Sequence, residues 1–306
     1  MSPSPILVAY PDPGFREHLT HALSGVFPLE FVPGHVEALH YLEQQRPLAL
    51  LVDPSCRPPA DEDAVRIAGS LYPDLPVALI SSTSTSECFS FLTLYGVGAA
   101  IPPNVGLSPS HLKLFFQHLI DPASLFSLKN YVSPGREVCS ERITVPNARM
   151  RVFELLTRDF EPCKYVNTHD LQLVFEEVLN NAIFHAFRTE KNEPKYTSSD
   201  DEPFDLQDQI VLEWGIGEDY SVVAITDNQG LLSRRTICDR FVRQINLTGL
   251  LDTSGRGIFL THLLSKLVLI TVRPGLHTRV AVFFGPGSTK QPKPIGIQVV
   301  HDRLQA

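Results

Sequence analysis

The chain has 306 residues, 43% hydrophobic and 20% charged, which suits about two ordinary globular domains and excludes wholesale disorder. Its formal net charge is −8, and its basic residues are scattered (Arg234–Arg235, Arg240–Arg243). With no basic stripe to neutralise phosphates, nucleic acid is not an expected partner, and those arginines read as exposed helix or loop surface. The five cysteines (Cys56, Cys88, Cys139, Cys163, Cys238) are odd in number and lack a C-x-x-C pair, which argues against a disulfide framework or a zinc site. The first residues show no secretory pattern, and no apolar run approaches the ~20 residues of a membrane span, so a cytoplasmic setting is expected.

From residue 5 to 120 strand-like and helix-like patterns alternate. Strands are expected at Pro5–Ala9, Leu29–Val32, Leu48–Val52, Val77–Ile80 and Gly98–Ile101. Helices are expected at Phe15–Leu23, Val36–Leu42, Asp63–Leu71, Glu87–Leu94 and Ser110–Leu119. Such β–α pairs predict a five-stranded, doubly wound parallel sheet over residues 1–121. Residues 122–141, punctuated by Pro122, Pro134 and Gly135, read as a linker. A second domain is expected over 142–306: a helix at Arg149–Arg158, a long one at Asn167–Phe187, a flexible acidic insertion at 188–209, and strands at Ile210–Trp214 and Ser221–Thr226. A helix at Gly257–Lys266, a hairpin turning at Pro274-Gly275 and a last strand at Ile295–Val300 complete it.

Three segments of this second half carry candidate chemistry. Glu177, Asn181 and His185 stand four residues apart, on one helix face. A carboxylate there can take a proton, and an amide oxygen suits Mg²⁺, which prefers oxygen and keeps substrate phosphates as further ligands. Asp227, ending an apolar strand, can accept a hydrogen bond from an exocyclic amine, with Gly230 close by in the turn. Gly255, Arg256 and Gly257 open a helix, whose exposed amides favour phosphate.

In this order the segments resemble the boxes of the GHKL ATPase superfamily, the fold shared by gyrase, MutL and histidine kinases. Within it the chain looks most like the anti-sigma-factor serine/threonine kinases of bacterial partner switching. The resemblance spans about residues 140–285 and implies an α/β sandwich with a mixed sheet. Glu177-x-x-x-Asn181-Ala-x-x-His185 matches the N-box pattern, which makes Glu177 the base and Asn181 the Mg²⁺ ligand. Asp227 matches the adenine-reading aspartate, and Gly255-Arg256-Gly257 the second glycine box. Residues 231–254 then form the ATP lid. The first glycine box departs from D-x-G-x-G, reading Asp227-Asn228-Gln229-Gly230-Leu231.

The first half resembles the receiver domain of response regulators. Asp53 ends the third strand, where receivers carry the phosphoacceptor, and Ser81 or Ser82 ends the fourth. Tyr10 and Pro11 stand where receivers have acidic residues, and Pro102-Pro103 replaces their Lys-Pro. A phosphoryl group of charge about −1.5 to −2 would be poorly compensated there, so a pseudo-receiver that docks partners is the expected role.

Two functions follow. One is a kinase that binds Mg-ATP and passes the γ-phosphoryl to Ser or Thr of a protein partner, an anti-sigma-factor antagonist by resemblance. The other is a non-catalytic module that sequesters a sigma factor or similar regulator. A homodimer is compatible with either.

Overall fold

The computed structural model describes residues 4–56, 63–104, 108–145, 148–197, 202–248 and 256–301. The chain forms two compact units, Met1–Asp121 with Gln291–Gly296, and Pro122–Lys290 with Ile297–Ala306.

The first unit runs β1 (Ile6–Ala9), α1 (Pro13–Leu23), β2 (Leu29–Val32), α2 (His35–Gln44), β3 (Ala49–Val52), α3 (Ala64–Leu71), β4 (Val77–Ile80), α4 (Ser86–Tyr95), β5 (Ala99–Ile101) and α5 (Pro109–Ile120). Its five strands pair in parallel in the order β2-β1-β3-β4-β5, a doubly wound arrangement. All four residues of β1 and of β3 are buried, which is why these segments read as unbroken apolar runs. Helix starts are set by side-chain caps. Asp12, Asp63, Thr85 and Ser108 accept the free amides of α1, α3, α4 and α5. Asp63 thus caps its helix instead of lying within it. The returning residues Ile295 and Gly296, from the last strand expected, pair antiparallel with Ala100 and Ala99, a partner that no local pattern announces.

In the second unit the expected linker is packed structure. Short 3₁₀ turns at Pro122–Phe126 and Leu128–Tyr131 bury Leu125, Leu128 and Tyr131, because these apolar side chains have a sheet to cover. There follow β6 (Cys139–Ile143), α6 (Arg149–Phe160), α7 (Thr168–Ala186), β7 (Ile210–Ile216), β8 (Ser221–Asp227), α8 (Arg234–Ile245), α9 (Gly257–Leu264), β9 (Leu267–Arg273) and β10 (His277–Phe284). The strands stand in the order β9-β10-β8-β7-β6. Neighbours from β9 to β6 pair antiparallel, with tight hairpins joining β7 to β8 and β9 to β10. The final strand, β11 (Ile295–Val299), is shorter than expected by one residue.

Helix α7 positions the site. Asn167 caps it, its Oδ1 accepting from the amides of His169 (2.9 Å) and Asp170 (3.2 Å). Leu171, Val174, Phe175, Val178, Leu179, Ala182, Ile183 and Ala186 form its buried face, leaving the Glu177–Asn181–His185 stripe beside it. Trp214 is a core strand residue, its indole donating to Asp159 Oδ2 at 2.9 Å.

The acidic insertion is not a solvated tether where it is described. Phe187, Tyr196 and Phe204 form an aromatic trio, Tyr196 and Phe204 with centroids 4.8 Å apart. Lys195 binds both Asp205 (2.5 Å) and Asp208 (2.6 Å). Two aromatic residues supply the apolar anchor that composition alone concealed.

Candidate functional site

Asn181, Asp227, Ile258 and Thr278 line one small apolar cavity in the second unit, together with Val178, Ala182, His185, Ile225, Leu232 and Val280. Its volume is about 30 Å³, room for about two waters. Asp227 ends β8 directly opposite Thr278 on β10. Its Oδ1 accepts the amides of Gln229 (2.9 Å) and Gly230 (3.1 Å). Burial pushes the Asp227 carboxyl above its usual range, and those two amides pull it back. Thr278, through its side chain and its backbone, also pulls the Asp227 carboxyl back as a hydrogen-bond partner. Asn181 Nδ2 is buried and unpartnered. An orphaned polar atom on the wall of an apolar cavity forfeits on the order of 1–3 kcal/mol of hydrogen bonding.

Glu177 faces α9 instead of the cavity. A β-carbon added to Gly257 would stand 2.5 Å from Glu177 Oε2 and 2.7 Å from Asn181 Nδ2, so both side chains reach the first residue of α9. Each four-residue step along a helix rotates about 40°, which turns Glu177 toward α9 while His185, two steps on, points into the cavities. Glu177 is half-buried, and burial raises its carboxyl above the usual range, with the neighbouring Glu176 charge adding to the effect. That is the direction a proton acceptor needs to work near neutrality.

Gly230 adopts a left-handed φ of 63°, and its missing β-carbon would stand 2.1 Å from the Arg273 carbonyl oxygen. The close approach it permits here is to the β9–β10 turn, not to a ligand ring. Arg256 is half-buried at the N-cap of α9, which has no side-chain cap. Gly255 lies outside the described residues, as does part of the expected lid. Residues 234–245 of that lid form α8. Among the described residues no group of three or more His, Cys, Asp or Glu could hold a metal, so a cation near Asn181 would need oxygens from its ligand.

In the first unit Asp53 is half-buried at the end of β3. Its Oδ1 accepts the Ser55 amide at 2.8 Å, and His35 Nε2 lies 2.8 Å from its carbonyl. The Ser82 and Ser84 hydroxyls pair with each other at 2.7 Å.

Sequence reasoning missed Thr278, which no motif marks; only its register opposite Asp227 identifies it. It also placed Arg240 on open surface, whereas that residue is half-buried beside His185, 3.3 Å from its Nε2.

The described residues thus define an α/β protein with a parallel doubly wound unit and an antiparallel unit that carries a polar-edged apolar cavity. No family model matches the chain. No curated protein matches it either. Among solved structures, full-length FixJ from B. japonicum aligns with 58% of this chain and 89% of its own, at 9% identity and a TM-score of 0.33, a likeness too slight to bear on the site. No helix among the described residues is long and apolar enough to cross a membrane.

Proposed function

We propose that the second unit is a GHKL-type ATP-binding domain and that the protein is a signalling kinase, passing a phosphoryl group to Ser or Thr of a protein partner. The observation that carries the reading is the buried Asp227 carboxylate and the unpartnered Asn181 amide on the wall of one apolar cavity. A purine is a flat apolar ring with a polar edge. Its amine suits Asp227 as acceptor, and its flat face suits the apolar walls of the cavity.

The residues present fit Mg-ATP by chemistry: Asn181 offers an amide oxygen to the cation, and Asp227 an acceptor to the base. Bound there, Mg-ATP supplies the transferable phosphoryl group and the charge that neutralises it. Glu177, held partly out of water, takes the proton of the accepting hydroxyl. Asp227 and Thr278 orient the base, while Ile225, Ile258 and Val280 keep water from it. The first unit acts as a receiver-like docking and regulatory module, with Asp53 its candidate acceptor. The setting is cytoplasmic, and the partner is an anti-sigma-factor antagonist or a sigma-factor-like regulator.

The test is phosphoryl transfer from labelled ATP to candidate partner proteins. Glu177→Ala is expected to abolish transfer, at least 100-fold down as a lost general base implies (~10²–10⁴), while retaining nucleotide binding. Undiminished transfer by that variant would contradict the mechanism.

A second reading, a non-catalytic regulatory module, is favoured by Gln229 and by a cavity of only about 30 Å³, which must open before a purine can enter. Nucleotide binding without transfer to any partner, at wild-type Glu177, favours that reading.

A further inference from the structure

Beside the small cavity, and sharing His185 and Leu232 with it, lies a larger one of about 330 Å³. Its polar walls are His185, Arg188, Ser233, Thr236 and Arg240. His185 sits in the last turn of α7, Arg188 just past its end, and Arg240 on the facing side of α8.

The polar contacts in this pocket are frustrated. Arg188 Nη2 lies 3.0 Å from His185 Nδ1, and Arg240 Nη2 lies 3.3 Å from His185 Nε2. A neutral imidazole has one acceptor nitrogen, so one of these contacts sets donor against donor. A protonated ring would accept from neither arginine. The remaining bond of Arg188 goes to the Asn192 carbonyl at 3.2 Å. Among the described residues neither guanidinium meets a carboxylate. Burial, then the Arg188 charge, lowers the pKa of Arg240 from its ordinary value. Two half-buried cations that repel each other across a cavity, with no counter-charge, are short of an anion. The N-terminus of α8, capped by Ser233, opens on the same space and adds to the positive potential.

We infer that His185, Arg188 and Arg240 form a phosphoryl-binding pocket, and that it takes a phosphate of the nucleotide whose base enters the adjoining cavity. The pocket itself stands on its own geometry; the source of its phosphate rests on the nucleotide reading of the neighbouring cavity. A dianionic phosphoryl group accepts from both guanidiniums at once and from the imidazole N–H, which resolves all three contacts.

The test uses the full chain, with calorimetry of Mg-ADP, Mg-ATP, adenosine and inorganic pyrophosphate against wild type, Arg188→Gln, Arg240→Gln and the double variant. Thermal melts check that each variant is folded, and Arg240→Lys asks whether charge alone partly restores binding. The expected result is that ADP and ATP bind about tenfold more weakly for each arginine lost, in line with a charge-assisted hydrogen bond, while adenosine is unaffected. If pyrophosphate binding falls with the arginines while nucleotide affinity holds, the pocket stands and its phosphate comes from elsewhere. Nucleotide and pyrophosphate affinities both within twofold of wild type in the double variant, or no binding of either by wild type, would overturn the pocket. Failure of wild type to bind adenosine or any nucleotide, with pyrophosphate still bound, would instead sink the nucleotide reading alone.

Discussion

His185 shows how one side chain reports its surroundings. Burial, then the charges of Arg240 and Arg188, pushes its pKa down to about 4 from an ordinary 6.5. The folded ring therefore resists a proton that the unfolded chain accepts. Above pH 6.5 both states are neutral and the difference has no effect. As pH falls from 6.5 toward 4 the unfolded state binds the proton first, and stability is lost across that window. Unscreened, the difference approaches about 3 kcal/mol; with the ring partly exposed, roughly 1 kcal/mol is expected. Denaturant titrations should show His185→Gln losing less stability than wild type between pH 6.5 and 4. Equal losses would show that neither burial nor the two arginines hold this ring below its ordinary pKa. Asp227 is the other informative residue: a carboxyl at 7% exposure on the cavity wall, held by the Gln229 and Gly230 amides of its own turn and by Thr278 of β10, presents a fixed acceptor to something that enters the cavity.

At the scale of elements, the crossing of α7 and α9 is set by one missing side chain. Gly257→Ala would put a methyl group against Glu177 Oε2 and Asn181 Nδ2, so either the helices part or the two side chains turn away. A stability loss of about 1–3 kcal/mol is expected. Because the displaced groups are the candidate base and cation ligand, activity should fall further than stability explains. Gly230→Ala is more severe, since the backbone is left-handed there and the obstacle, the Arg273 carbonyl, belongs to a hairpin that cannot swing aside. Its cost should exceed that of Gly257→Ala in chemical denaturation; a smaller cost would mean that the β9–β10 turn yields easily.

Across the whole molecule, what was legible in the sequence was whatever local periodicity encodes. The parallel unit could be read because its strands are short apolar runs and its helices start at Asp, Thr and Ser caps. Helix α7 could be read because nineteen residues keep one period between the Asn167 cap and Ala186. What could not be read depends on pairing between distant segments. The return of Ile295–Gly296 to the edge of β5 and the placement of Thr278 opposite Asp227 both join residues far apart in sequence. The same limit explains Arg240: its helix is polar on three sides, and only tertiary structure sets it against His185 and near Arg188. In the site itself, the residue types along α7 were readable, but their division between α9 and the cavities follows from helical drift that a motif does not display.

The central claim is that the cavity between α7, β8 and β10 receives a purine nucleotide, and isothermal calorimetry with Mg-ATP tests it most directly. Wild type is expected to give a measurable heat at millimolar nucleotide or below, and binding is expected to be at least tenfold weaker in both Asp227→Asn and Asn181→Ala, each of which loses a group facing the ring or its cation. Wild type that shows no heat and no thermal stabilisation at millimolar Mg-ATP, or variants that bind as tightly as wild type, would contradict it.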